Sequence, residues 1–150
     1  MSSHSSQTEY FTPAPAGGLE HTSESTVLAG SVLAAGRARQ FAAQVLCPHH
    51  ARAAVSAVTL AASEMVTQAV LGGRGPVAVT LTCQVTTVTL SVTYRADEVR
   101  HDERLRMADD VAAMIIEGIS RASGNDVLEG RQRMWCTIPT GFAPVPPAQP

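Results

Sequence analysis

Apolar residues recur along the chain in two rhythms, and the switch between them marks out the elements. Over residues 31–46, Ala34, Ala38, Phe41, Ala42 and Val45 return at helical spacing, while Arg37, Arg39, Gln40 and Gln44 fall mostly on other faces. Pro48 interrupts this pattern and can begin a turn. A second helix is predicted over about 51–71, with Ala54, Val58, Ala61, Met65 and Ala69 along one stripe. Gly72, Gly73 and Gly75 follow it, and glycine accepts the left-handed conformation that closes a helix.

Period-two alternation then takes over. Val77, Val79, Leu81 and Cys83 point one way, and Ala78, Thr80 and Thr82 the other. The pattern repeats with Val88, Leu90, Val92 and Tyr94 against Thr87, Thr89, Ser91 and Thr93. Two strands joined this tightly predict an antiparallel hairpin with one buried face and one wetter, Thr-rich face. A polar segment follows over 95–106, then an apolar helix over about 109–122 with Val111, Ala112, Ile115, Ile119 and Ala122 on its stripe. Short strands at 127–128 and 134–138 flank Glu129, Gly130 and Arg131. The order helix, helix, hairpin, helix, hairpin predicts an α+β fold: a two-layer sandwich with helices on one face of a mostly antiparallel sheet. The absence of strand–helix–strand alternation argues against a parallel Rossmann-type sheet.

Composition sharpens the domain picture. Residues 1–26 are rich in Ser, Thr, Pro and Gly, and residues 141–150 are mostly Pro and Ala. Neither end has the apolar surface to offset chain entropy, so both are expected to be disordered tails around one domain at 27–140. The net charge of -2 offers no basic field for nucleic acid or an anionic membrane. Apolar runs far short of a bilayer span, and an N-terminus without signal-peptide order, point to a cytoplasmic protein. All 11 basic residues are Arg, which excludes a P-loop lysine and a Schiff-base lysine.

Three cysteines, Cys47, Cys83 and Cys136, are odd in number and widely spaced, which argues against a disulfide framework. Cys47, Pro48, His49 and His50 carry zinc-type donors but lack a fourth ligand at a recognisable spacing, and an interhelical turn explains them more simply. Cys83 and Cys136 fall on inward strand positions and read as small hydrophobes. No Ser-His-Asp set or Gly-x-Ser-x-Gly elbow suggests a hydrolase.

The run Ser63, Glu64, Met65, Val66, Thr67, Gln68, Ala69, Val70, followed by a Gly-rich turn and a strand hairpin, resembles the GHKL ATPase family. The likeness is to its anti-sigma-factor serine/threonine kinase branch of actinobacterial type, whose second helix typically reads Ser-Glu-Leu-Val-Thr-Asn-Ala-Val. Gly130 to Trp135, before Cys136, Thr137, Ile138 and Pro139, is similar to the family's Gly-Gly-Lys-Thr-Val-Trp strand opening. The resemblance covers roughly residues 31–139.

It implies a Mg-ATP site in which a helix Asn holds magnesium and a Glu one turn earlier acts as base or orients the attacking group. Residues i and i+4 share a helix face, so the two groups can converge. Here Glu64 keeps the carboxylate, while Gln68 stands at the Asn position as the only remaining candidate magnesium ligand. The alternative for both is a solvated helix edge. Tyr94 stands where the resemblance places an adenine-binding Asp, and Asp97 reaches that place only by a three-residue shift that reverses its face. Asp109 and Asp110 suit a helix N-terminus but would repel phosphates there. Gln132 and Arg133 replace a Lys-Thr pair that contacts phosphate in some relatives, and Arg133 retains a charge suited to one, though a surface Arg is the simpler reading.

The cofactor-binding positions Gln68, Tyr94, Asp97 and Arg133 are thus mostly degenerate, and no cofactor is expected unless Mg-ATP still binds. The expected function is that of an anti-sigma-factor-like regulator acting by protein–protein binding, its partner a sigma factor or an anti-sigma antagonist. Homodimerisation is left open by the same resemblance. Two alternatives stand beside this: an active Mg-ATP-dependent serine/threonine protein kinase using Glu64, and a structural or dimerisation module. The mixed-charge segment over 95–106 occupies the place of the family's nucleotide lid and reads most simply as a solvated loop or extra helical turn.

Overall fold

The computed structural model describes residues 22–46, 52–97 and 103–140, leaving aside the side chains of 103–106 and 108. In chain order the elements are β1 (Thr22–Leu28), α1 (Ala34–Val45), α2 (Arg52–Gly72), β2 (Gly73–Cys83), β3 (Thr87–Ala96), α3 (Glu103–Ile119), β4 (Ala122–Leu128) and β5 (Arg131–Pro139). The strands form one antiparallel sheet in the order β1-β2-β3-β5-β4, so β5 lies between β3 and β4. The fold is a two-layer α+β sandwich.

The core lies between the sheet and its helices. Val77, Val79, Leu81 and Cys83 of β2, Val88, Leu90 and Val92 of β3, and Cys136 and Ile138 of β5 are all buried on that side. Against them α2 presents Ala54, Val58, Ala61, Met65 and Ala69, and α1 presents Ala34, Ala38 and Ala42, the small residues that let the two helices approach the sheet and each other closely. The stripes expected for α1 and α2 are those observed. Cys83 and Cys136 are buried thiols, as their strand positions predict. The Cys136 Sγ sits 3.8 Å from the Met65 Sδ, and desolvation pushes its pKa up to about 12, so it is an inert part of the core.

The opposite face carries the hydroxyls. Ser25 and Thr80 meet at 2.8 Å, Ser23 and Thr82 at 3.2 Å, and Thr89 and Thr137 at 3.3 Å. At one end Thr140, fully buried, donates its hydroxyl to the Val85 carbonyl and its N–H to the Thr86 carbonyl, pinning the β2–β3 turn.

Five expectations need correction. Residues 22–26, expected within a disordered tail, begin β1, paired with β2 from Thr22↔Cys83 to Leu28↔Val77. The stretch reads as polar because β1 is an edge strand in which only Leu28 is buried. At the end of α2 the closing device is not a left-handed glycine, since of Gly72, Gly73 and Gly75 only Gly75 has positive φ (78°). Gly73 is already the first residue of β2, jammed against its neighbours: a Cβ there would lie 2.6 Å from the Tyr94 ring and 2.8 Å from the Ala69 carbonyl. The third helix runs from Glu103 to Ile119, so the end of the charged segment is helical and Ala122 belongs to β4. Asp109 and Asp110 therefore lie past the first turn rather than at the helix N-terminus, and Val111 is 55% exposed while Ala112 and Ile116 supply the buried stripe. Finally, α2 is long and apolar enough, by length and composition, to cross a membrane. In this fold it is the core helix over the sheet, which is compatible with a soluble protein.

The β4–β5 turn follows its chemistry. Glu129 (φ 53°) and Gly130 (φ 79°) both adopt the left-handed region between Leu128 and Arg131, the conformation of a two-residue hairpin turn.

Candidate functional site

α3 crosses beside α2 and over the β5–β4 side of the sheet, and beneath it lies a cavity of about 450 Å³. α2 contributes Met65 and Gln68, and α3 contributes Asp109, Asp110, Ala112, Ala113, Ile116 and Glu117. The sheet side is formed by Tyr94, by Ser123, Gly124 and Asn125, and by β5 from Gln132 to Trp135.

Gln68 is the central group. The stripe that buries α2 carries it inward beside Met65 and Ala69, so that it is only 7% exposed. Its Oε1 is buried with no hydrogen-bond partner among the described residues. A carbonyl oxygen in that state has lost its water and gained nothing in return. The solvated helix edge does not describe Gln68. Glu64, one turn earlier, is partly exposed and is not among the residues that line the cavity. The convergence of Glu64 and Gln68 on one ligand is therefore not found.

Tyr94 projects to the helix side with Val92 and packs against the core, as an aromatic in this position should. Burial raises its pKa, and the nearby Asp109 raises it further. The Asp109 carboxyl is itself held above the ordinary value, first by partial burial and then by Asp110. Both shifts mark a place where negative charge is poorly accommodated.

Asp97 follows β3, and its backbone N–H donates to the Gly72 carbonyl at 2.9 Å. It is not a cavity residue. Arg133, the one basic residue along the cavity among the described residues, makes a bidentate pair with Asp126 across β4–β5, Nε to Oδ1 at 2.8 Å and Nη2 to Oδ2 at 2.6 Å. That bond lowers the Asp126 pKa and holds the guanidinium on the strand, in register with Thr93 of the hydroxyl face. The indole of Trp135 lies against Gly124 on the same face.

Of the five candidate positions the structure brings together Gln68 and Tyr94, with Arg133 at the margin and already paired, and it leaves out Glu64 and Asp97. The residues that complete the site are Asp109, Asp110, Glu117 and Asn125. Asp109 and Asp110 carried a signal in the sequence but were assigned to a helix cap. Glu117 and Asn125 carried none.

The residues present do not fit Mg-ATP. Three carboxylates line the cavity, the Arg133 guanidinium is paired with Asp126 on the other face of the sheet, and Tyr94 offers a phenol. A triphosphate brought here would meet repulsion without compensating donors. Among the described residues no group of three or more His, Cys, Asp or Glu is placed to hold a metal ion. Cys47, His49 and His50 lie outside the described residues. Compared with models of known protein families and with characterised proteins, the chain gives no match.

Proposed function

We propose that this protein is a non-catalytic, cytoplasmic regulator of anti-sigma type that works by binding a protein partner, its nucleotide site having been lost. The observation that carries this reading is the charge of the cavity: Asp109, Asp110 and Glu117 line it, and Arg133 is committed to Asp126. The partner class, a sigma factor or an antagonist that competes with one, comes from the resemblance of residues 63–70 and 130–139 to anti-sigma kinases. Supporting a protein partner, α3 leaves Met107, Val111 and Met114 on its outer surface at 65%, 55% and 73% exposure. These positions, i, i+4 and i+7, form one apolar stripe of the kind that marks interaction surfaces.

The test has two arms. Calorimetric titration with ATP, with and without magnesium, is run on the native chain and on Gln68→Asn. No saturable heat from the native chain is the expected result, and tight magnesium-dependent binding would move the kinase reading to first place. In the second arm, purified sigma factors and their antagonists are screened for a complex. Binding that Met114→Glu weakens at least tenfold is expected, whereas a full panel without any complex would leave the structural-module reading in its place.

A further inference from the structure

We propose that the cavity beneath α3 takes a small organic cation bearing N–H donors, a primary ammonium or a guanidinium. This rests on the reading above, in which the cavity no longer serves a nucleotide, and it names what the remade site accepts. Two independent observations point to the same chemistry. The first is Gln68: 93% of its surface is withdrawn from water, it lines the cavity, and its Oε1 has no hydrogen-bond partner among the described residues. An orphan carbonyl oxygen calls for a donor. The second is the charge of the lining, where Asp109, Asp110 and Glu117 have no basic partner among the described residues, Arg133 being closed onto Asp126 on the other face of the sheet.

With no cluster placed to hold a metal ion among the described residues, the two observations set the other organic ligands aside. Anions are repelled by the three carboxylates. A quaternary ammonium answers the charge and leaves Gln68 unsatisfied. A neutral amide answers Gln68 and leaves the charge. A cation with N–H groups answers both at once, and hydrogen bonds from a charged donor are the stronger kind. The apolar walls suit a short aliphatic stem: Met65 and Ile116 are buried, and Met134 packs against the core. The volume falls within the range of about 300–1,000 Å³ found for small-molecule sites.

The probe is agmatine, which carries an ammonium at one end and a guanidinium at the other, titrated calorimetrically into the full chain at neutral pH. Tetramethylammonium, charged but without N–H donors, is the control, and Mg-ATP is titrated separately. Saturable one-to-one binding of agmatine is expected, at least tenfold tighter than tetramethylammonium. Gln68→Leu should weaken agmatine about tenfold or more and leave tetramethylammonium unchanged, the loss of one hydrogen bond to a charged donor. Gln68→Met serves the same purpose should the leucine variant not fold. Asp109→Asn, at the exposed rim, should weaken both cations alike.

Absence of saturable agmatine binding, or an undiminished affinity in a folded Gln68→Leu or Gln68→Met chain, overturns the proposal. So does equal affinity for the two cations. If agmatine and Mg-ATP both fail to bind, this inference alone is lost and the regulatory reading stands; if Mg-ATP binds, that reading falls on its own evidence.

Discussion

The β1–β2–β3 side of the sheet and the β5–β4 side are covered by helices of very different quality. Under α1 and α2, Val77, Val79, Leu81 and Cys83 of β2 and Val88, Leu90 and Val92 of β3 reach at most 2% exposure, and α2 itself buries eight residues along its 21. Along α3 itself only Ala112 and Ile116 are buried among the described side chains, each still 5–8% exposed, and β4 is exposed at six of its seven positions. The close-packed side is built from alternating Val, Leu and Ala, whose shapes interlock. The other is built from a helix that is charged or exposed on most of its surface and sits over a gap. One side holds the fold together, and the other leaves room for a ligand beside Gln68, where α2 borders α3.

The largest effect that would break this comparison is a core truncation. Leu90→Ala should cost about 2–5 kcal/mol, because rigid neighbours leave the void unfilled. Ile116→Ala, whose side chain already borders the cavity, should cost no more than about 2 kcal/mol, at the bottom of that range. Urea unfolding with an unchanged slope measures both. Equal losses would mean that the two sides are packed alike. Hydrogen exchange sharpens the same contrast, with the β2 and β3 amides expected to open only on global unfolding and those of α3 and β4 well before it.

Next in size is Gln68→Leu. Removing an unsatisfied buried oxygen should stabilise the unliganded chain by about 1–3 kcal/mol, read as a rise in the urea midpoint. A loss of stability would show that Oε1 is satisfied in solution.

The smallest effect concerns Asp109. Its carboxyl binds a proton more tightly folded than unfolded, so stability falls as pH rises from the ordinary carboxylate value through the raised one. Asp109→Asn should flatten that part of the stability–pH curve and gain about 0.3 kcal/mol or less at neutral pH, since water screens this exposed group. A curve that keeps its slope would assign the effect to other carboxylates.

The packed side was also the legible one. Alternation in 77–83 and 88–94 and the α2 stripe were readable because burial there is continuous, and a buried face leaves a periodic mark. β1 escaped notice because its helix-facing positions are Thr22, Glu24, Thr26 and Leu28, of which only the last is buried. The first turns of α3 were read as loop or cap because charged residues dominate 103–110. Gln68 was recognised as a site position but not as a buried one, and Glu117 and Asn125 were not seen at all. Their meeting depends on where α3 crosses the sheet, a long-range fact that local periodicity does not encode.

The strand order also shapes how this protein is made. A ribosome delivers β3 well before β5, yet β5 is the strand that must lie against it. Throughout that interval β3 holds Val88, Leu90 and Val92 beside a row of unpaired backbone groups, the combination that invites pairing with another nascent chain. β4, made earlier than β5, has no neighbour to join until its hairpin partner emerges. Closure of the sheet therefore waits on residues 131–139, and until they join it β3 and β4 both lack the neighbour they share.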